Sequence, residues 1–285
     1  MKSLVFWEGK LHAPGKVRIS PVNSAFFYGE NIFEAIPVYG GKPLFLQEHL
    51  LRLQKGCCFL KWSFLPETTF MKAIRLFTEK EGINSNFMIR FNLSQDLRGN
   101  VNPRDYHAFP PTLFATIRPL RHNPSDMEPI TGNVGIGPWT AVDEATIPNH
   151  FKIALYMTTR KTFRDHPEWD EIVRLNSQGE VVDGGLSTPF WNDGKKVWVS
   201  PLRLGGLQSV TREKIMRLLT HLGIKVVEKP WKPKEVSPSH EVFFGGSGVA
   251  IMAVSRFAGL KFKKPPQLAP LLWQYYRGWI RNLEK

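Results

Sequence analysis

Gly205-Gly206-Leu207-Gln208-Ser209-Val210-Thr211-Arg212 runs a glycine-bearing loop straight into a helix. The first amides of a helix have no partner inside it, so such a junction can bind an anion, and Thr211 adds a hydroxyl. The Walker lysine and spacing are missing, which sets aside a nucleoside-triphosphate loop. Read alone, the stretch also suits an ordinary Ser/Thr N-cap. The helix continues over 211–222 with Ile215, Leu218, Leu219 and Leu222 on one face, stops at Gly223, and gives way to a strand over 225–228.

Outward from this junction the pattern stays mixed. Strands are predicted at 170–175 and 180–183 around the turn Ser177-Gln178-Gly179, at 196–199 after Asn192-Asp193-Gly194, and at 241–244. In the first half, residues 4–7 lead into the hairpin turn Glu8-Gly9-Lys10, and residues 32–39 into the turn Gly40-Gly41. A helix begins near Gln47, with Leu46, Leu50, Leu53 and Cys57 at the spacing of one buried face. A second spans 66–80 with Phe70, Ile74 and Phe77 together, and strands follow at 87–93 and 112–117. Pro119, Pro124 and Pro129 mark a linker. The expected fold class is therefore α/β (α+β) in two domains: a smaller N-terminal domain over 1–118, a linker over 119–129, and a larger domain with a mixed sheet over 130–285.

With 285 residues, 42% of them apolar and 22% charged, the composition is that of a soluble globular protein. No run approaches the roughly 20 apolar residues of a membrane helix. Glu8 interrupts the N-terminal segment before a signal-peptide core can form, so a cytoplasmic protein is expected. Cys57 and Cys58 are adjacent, which disfavours a disulfide; both are read as buried thiols, and no metal site is expected. The net charge of +13 is spread over scattered Lys and Arg residues without a basic-aromatic module, which argues for a basic enzyme surface rather than nucleic-acid binding.

Three further features carry chemistry. His49 and Arg52 lie three apart in Glu48-His49-Leu50-Leu51-Arg52-Leu53 and share a helix face, where arginine's planar fork can grip phosphate. Phe243-Phe244-Gly245-Gly246-Ser247-Gly248 ends a strand in glycines that admit a ligand to the backbone, with Ser247 as a donor. Lys152 sits between Phe151 and Ile153, apolar company that disfavours the ammonium form and makes the amine a better nucleophile toward carbonyls. Each has a plain alternative: a solvated arginine, a strand-end turn, a snorkelling lysine.

Taken in order, these elements resemble the class IV (fold-type IV) aminotransferases, the family of branched-chain and D-amino-acid aminotransferases and aminodeoxychorismate lyase. Phe27-Tyr28-Gly29-Glu30-Asn31-Ile32-Phe33-Glu34 is similar to the family's Tyr-Gly-Asp-Gly-Val-Phe-Glu element, and His49 to Leu53 to its His-x-x-Arg-Leu helix. Lys152-Ile153-Ala154-Leu155-Tyr156 resembles the Lys-x-x-Asn-Tyr segment, Ser209-Val210-Thr211-Arg212 the Gly-Ile-Thr-Arg element, and 241–248 the strand ending Thr-Gly-Thr-Ala. The resemblance spans about residues 5–258. It implies a pyridoxal 5'-phosphate enzyme in which Lys152 is the Schiff-base lysine and catalytic base. Arg52, the Val210 and Thr211 amides and Ser247 would hold the phosphate, Asp183 would face the ring nitrogen, and Tyr156 the ring oxygen.

The departures are specific. Asp183 replaces a glutamate, Thr188 and Leu155 replace asparagines, Ser209 replaces a glycine and Ala253 a proline. Tyr28 and Phe33 are expected in the substrate pocket. Arg90, Arg98 and Arg104 are the candidates for the substrate carboxylate: Arg98-Gly99 and Arg104 resemble the D-amino-acid enzymes, Arg90 the strand arginine of the branched-chain enzymes. Pro37 stands where the latter carry a further arginine. The implied reaction moves an amino group between an amino acid of branched-chain or D type and a 2-oxo acid, in a homodimer. Two other readings remain: an aminodeoxychorismate lyase releasing pyruvate, and an inactive relative binding an anionic partner.

Overall fold

The computed structural model describes residues 3–99, 102, 104 and 110–284. It divides into two compact units: residues 1–120, 150–155 and 283–285 form the first, and residues 121–149 and 156–282 the second.

The first unit is one antiparallel sheet with helices. Its strands are β1 (Val5–Trp7), β2 (Lys10–His12), β3 (Ile32–Tyr39), β4 (Lys42–Pro43), β5 (Phe87–Ser94) and β6 (Thr112–Pro119), in the order β2-β1-β6-β5-β3-β4. Gly40 and Gly41 turn β3 into β4 with φ of 53° and 78°, a left-handed pair that glycine adopts without steric penalty. The helices are α1 (Ser24–Phe27), α2 (Leu46–Phe59) and α3 (Glu67–Glu81). Helix α3 follows Pro66, stops at Gly82, and buries Phe70, Ile74 and Phe77 completely, as the spacing predicts. Burial of each such side chain contributes roughly 1.5–3 kcal/mol. On α2, Leu50, Leu53 and Cys57 enter the same core. Cys58 is exposed, contrary to the expectation of two buried thiols, because the next helical position lies about 100° around the axis.

Residues 150–155 were expected in the C-terminal domain but belong to the first unit. Phe151 is the reason. It is 3% exposed, its ring lies 5.0 Å from that of Phe59, and its Cβ comes within 3.2 Å of where a Cβ on Gly56 would stand. A glycine on α2 therefore lets this segment approach the helix closely.

The second unit carries a mixed sheet. Its strands are β7 (Ile130–Ile136), β8 (Glu171–Leu175), β9 (Val181–Gly184), β10 (Thr188–Asn192), β11 (Val197–Val199), β12 (Val226–Glu228), β13 (Glu241–Gly246), β14 (Ala250–Phe257) and β15 (Leu260–Lys261). They follow the order β12-β11-β10-β13-β14-β7-β8-β9, with β15 beside β14. Pairs β11–β12, β14–β7 and β7–β8 are parallel and the others antiparallel. The helices are α4 (Met157–Asp165), α5 (Val210–His221) and α6 (Leu268–Glu284). Helix α4 escapes an apolar-period reading because its buried residues are Thr159 and Thr162. Among the described residues, no helix is long and apolar enough to cross a membrane.

Candidate active site

Lys152 is held by the backbone of its neighbour strand. Its carbonyl accepts from the Phe33 amide (3.0 Å), the Ala154 amide donates to the Asn31 carbonyl (3.0 Å), and Ile153 bridges to Ile32. The segment is thus a short extended rung beside the start of β3. Lys152 is half-buried, and its Nζ lies 5.1 Å from the centre of the buried Phe33 ring. The Arg90 guanidinium lies 3.7 Å from the centre of that ring, and its Nε donates to Asn92 Oδ1 (2.9 Å). Strand pairing explains this cluster: Ala35 is opposite Arg90 and Phe33 opposite Asn92, so all four side chains leave one face of the sheet. An arginine over an aromatic ring gains cation–π attraction and is pre-oriented.

Glu34, one residue on, points to the other face, where α2 packs. It is fully buried and accepts from Arg52 Nε (2.6 Å), Arg52 Nη2 (2.8 Å) and His49 Nδ1 (2.7 Å). Burial pushes the Glu34 carboxyl up, but the charges of Arg52 and His49 outweigh it and hold it down at about 2. His49 is shifted below its usual range, because burial outweighs the pull of Glu34. The Arg52 fork, predicted to face a phosphate, is therefore oriented by a bidentate carboxylate. Tyr28 is 38% exposed at the end of α1. Arg98 and Arg104 are exposed turn residues whose own amides donate to Asp96 Oδ1 and Asn102 Oδ1.

In the second unit, Ser209 caps α5: its Oγ accepts the Arg212 amide and its carbonyl the Glu213 amide. The amides of Val210 and Thr211 open the helix, at the positions a helix cannot satisfy internally. Thr211 Oγ1 and Ser247 Oγ stand 3.4 Å apart, so helix start, hydroxyls and the glycine turn after β13 converge. Arg212 is buried and pins this end of the helix, donating to Glu228 Oε2 (2.7 Å) and the Ser200 carbonyl (3.2 Å). Tyr156 is half-buried at the N-cap of α4.

Asp183 is the penultimate residue of β9 and is 7% exposed. It accepts the amides of Gly184 (2.9 Å) and Leu207 (3.0 Å). A Cβ on Gly206 would stand 2.8 Å from the Val182 carbonyl and 3.5 Å from Asp183 Cβ, so only a glycine lets the loop lie this close. Burial raises the Asp183 carboxyl above its usual range despite Arg174. A buried acid of this kind gains from a cationic N–H, which is what a protonated pyridine presents. Beside it, Thr188 Oγ1 is buried with no hydrogen-bond partner among the described residues. An anion cradle, a buried carboxylate and an orphaned hydroxyl fit a pyridoxal phosphate.

Two fully buried acids, Glu34 and Glu171, have no assigned role in the sequence reading. Glu34 left a signal, an acid inside the apolar run of β3, since a buried acid calls for a cation. Glu171 left none: nothing in the sequence sets it apart within the strand predicted at 170–175.

Fold and site together define a pyridoxal-phosphate enzyme of the two-sheet, fold-type IV class. Residues 31–257 match the family model of the class IV amino-transferases, and the chain belongs to that family. A probable branched-chain-amino-acid aminotransferase of Aquifex aeolicus (strain VF5) is 27% identical over a 301-residue alignment covering 98% of this chain and 94% of the relative. An aminodeoxychorismate lyase of Bacillus subtilis (strain 168) is 21% identical, covering 98% and 96%. A branched-chain aminotransferase from Thermoproteus uzoniensis, solved with norvaline, shares the fold at a TM-score of 0.83 and 20% identity, over 99% of this chain and 96% of that one. The protein is accordingly a pyridoxal-phosphate-dependent transaminase, as the resemblance implies.

Proposed function

We propose that the amino donor is a branched-chain amino acid and the acceptor a 2-oxo acid, with Arg90 as the residue that recognises substrate carboxylate. The placement of Arg90 on the Phe33 ring, in the same cluster as the Lys152 amine, carries this reading. Arg98 and Arg104, the alternatives of the D-amino-acid type, are exposed in a turn. The names of the relatives from Aquifex aeolicus and Thermoproteus uzoniensis support the same choice.

In this reading Lys152 holds the cofactor covalently. The resemblance assigns the phosphate to Arg52, which Glu34 orients in the first unit, and to the Val210 and Thr211 amides and Ser247 in the second. Asp183 pairs with the ring nitrogen and Tyr156 with the ring oxygen. Bound there, the cofactor would supply an electron sink for the charge that develops as substrate Cα loses its proton. Lys152 Nζ would be the base that takes that proton. The buried Phe33 ring, 5.1 Å from Nζ, gives the amine an apolar floor. The exposed Phe26, Phe27 and Tyr28 around α1 support a homodimer, which light scattering tests. The free thiols of Cys57 and Cys58 fit a reducing, cytoplasmic setting.

The test is the absorption spectrum of the protein with pyridoxal phosphate, set against Lys152→Ala. A band lost in the variant, cofactor trapped on Lys152 by borohydride, and a response to branched-chain amino acids in a panel are expected. Identical spectra and no trapping would sink the assignment of Lys152. Pyruvate released from aminodeoxychorismate without an amino acceptor would replace transamination by the lyase reaction.

A further inference from the structure

Glu171 is the buried acid that the proposed mechanism leaves unused. It opens β8 with no exposed surface, a place a carboxylate tolerates only when donors surround it. They do. Oε1 accepts the amides of Ile172 (3.0 Å), Gly185 (3.1 Å) and Leu186 (3.2 Å), and Oε2 accepts from Ser187 Oγ. The carboxylate fills a concavity of successive backbone amides, as a bound anion fills a nest.

The turn it grips, residues 184–188, starts at the residue after Asp183 and ends at Thr188. It closes only with glycine at its first two positions. A Cβ on Gly184 would stand 1.9 Å from the Ser187 carbonyl oxygen, and one on Gly185 would stand 2.8 Å from Ile172 Cγ1 and 3.0 Å from Glu171 Oε1. Arg174 Nε holds the other side of the turn at the Gly184 carbonyl (3.0 Å). Ser187 Cβ in turn comes within 2.8 Å of where a Cβ on Gly246 would be, so the gripped turn rests on the residue before Ser247.

We propose that Glu171 is a positioning residue for cofactor binding: by closing the 184–188 turn it fixes Asp183 on one side and the Gly246-Ser247 turn on the other. The inference rests on the pyridoxal-phosphate reading above. Burial, aided by the like charge of Asp183, pushes the Glu171 carboxyl up to about 7. The grip survives either protonation state. Neutral, Oε1 keeps its three amides and an Oε2 hydroxyl donates to Ser187 Oγ instead of accepting from it.

That symmetry sets the experiment. Glu171→Gln copies the neutral form and keeps the grip; Glu171→Ala removes it, and Glu171→Asp withdraws the carboxylate by one methylene. Pyridoxal phosphate is titrated into each apoprotein, and amide exchange is read at Gly185 and Leu186. Expected are wild-type affinity and exchange in the glutamine variant. The alanine and aspartate variants are expected to bind about tenfold more weakly, the loss of one charge-assisted hydrogen bond's worth of binding, with faster exchange at both amides. If alanine abolishes folding, the aspartate variant decides. A folded alanine or aspartate variant that binds cofactor like the wild type overturns the proposal, as does a glutamine variant as weak as alanine. A wild-type protein that takes up no cofactor refutes the underlying reading instead.

Discussion

Replacing Glu34 by glutamine should cost the fold about 3 kcal/mol, and the structure gives the reason. The carboxylate is fully buried and takes two bonds from Arg52 and one from His49. Its ionised form is favoured enough to bring the carboxyl from an ordinary 4.5 to about 2. At about 1.4 kcal/mol per pH unit, that drop is worth about 3 kcal/mol. An independent route agrees: breaking a buried pair from one side costs about 3–5 kcal/mol, since the remaining charge is stranded. Here the charge that loses its counter-charge is the Arg52 guanidinium, 6% exposed, facing an amide NH2 that cannot accept from it. The assay is urea unfolding followed by circular dichroism, with amide exchange along β3 to assign the loss to the first unit. A second arm adds Arg52→Met. Removing both charges should recover much of the loss, because an apolar replacement of the whole pair is close to neutral. A Glu34→Gln loss below about 1 kcal/mol, the size of an exposed ion pair, would refute the reasoning.

Further outcomes follow from the same geometry. Glu34 and His49 are both held below their ordinary values. The Glu34 share is complete above 4.5 and lost as pH falls through about 2, and the His49 share is complete above 6.5 and lost as pH falls through its lowered value; an acid titration of wild type should be steeper near 2 than one of Glu34→Gln. Glu171, raised to about 7, has the opposite sign: its share is complete below 4.5 and lost as pH rises through about 7, so Glu171→Gln should flatten apoprotein stability across that window. Gly184→Ala should cost more than Gly245→Ala in thermal unfolding, by about 1 kcal/mol or more. The new Cβ meets a backbone oxygen at 1.9 Å in the first case and the mobile end of Ile215, at 2.1 Å, in the second. Phe77→Ala, at a fully buried position of α3, should destabilise by about 3–5 kcal/mol, measured by denaturant midpoint.

Much of the fold was legible because local chemistry specified it. Gly40-Gly41 demanded a left-handed turn, Pro66 and Gly82 bounded α3, and Phe70, Ile74 and Phe77 repeated at helical spacing. Ser209 announced the start of α5, and with it the amides at Val210 and Thr211. Lys152, Arg52, Asp183 and Ser247 stood out because the elements that carry them resemble, in order, those of the class IV aminotransferases.

Other facts needed the third dimension. That Arg52 is clamped by Glu34 follows from strand alternation on β3 meeting a helix face on α2, two elements 18 residues apart in sequence. That residues 150–155 join the first unit follows from Phe151 packing at Gly56. The sequence left Arg90, Arg98 and Arg104 as candidates for the substrate carboxylate; that Arg90 lies on the Phe33 ring is visible only in the β3–β5 register. Glu171, an unremarkable acid in the sequence, became a grip on a turn 14–16 residues away only when β8 paired with β9. Sequence spacing fixes what a helix or strand shows on each face; which faces meet, and which buried charges must then be paired, depends on contacts between residues distant in the chain.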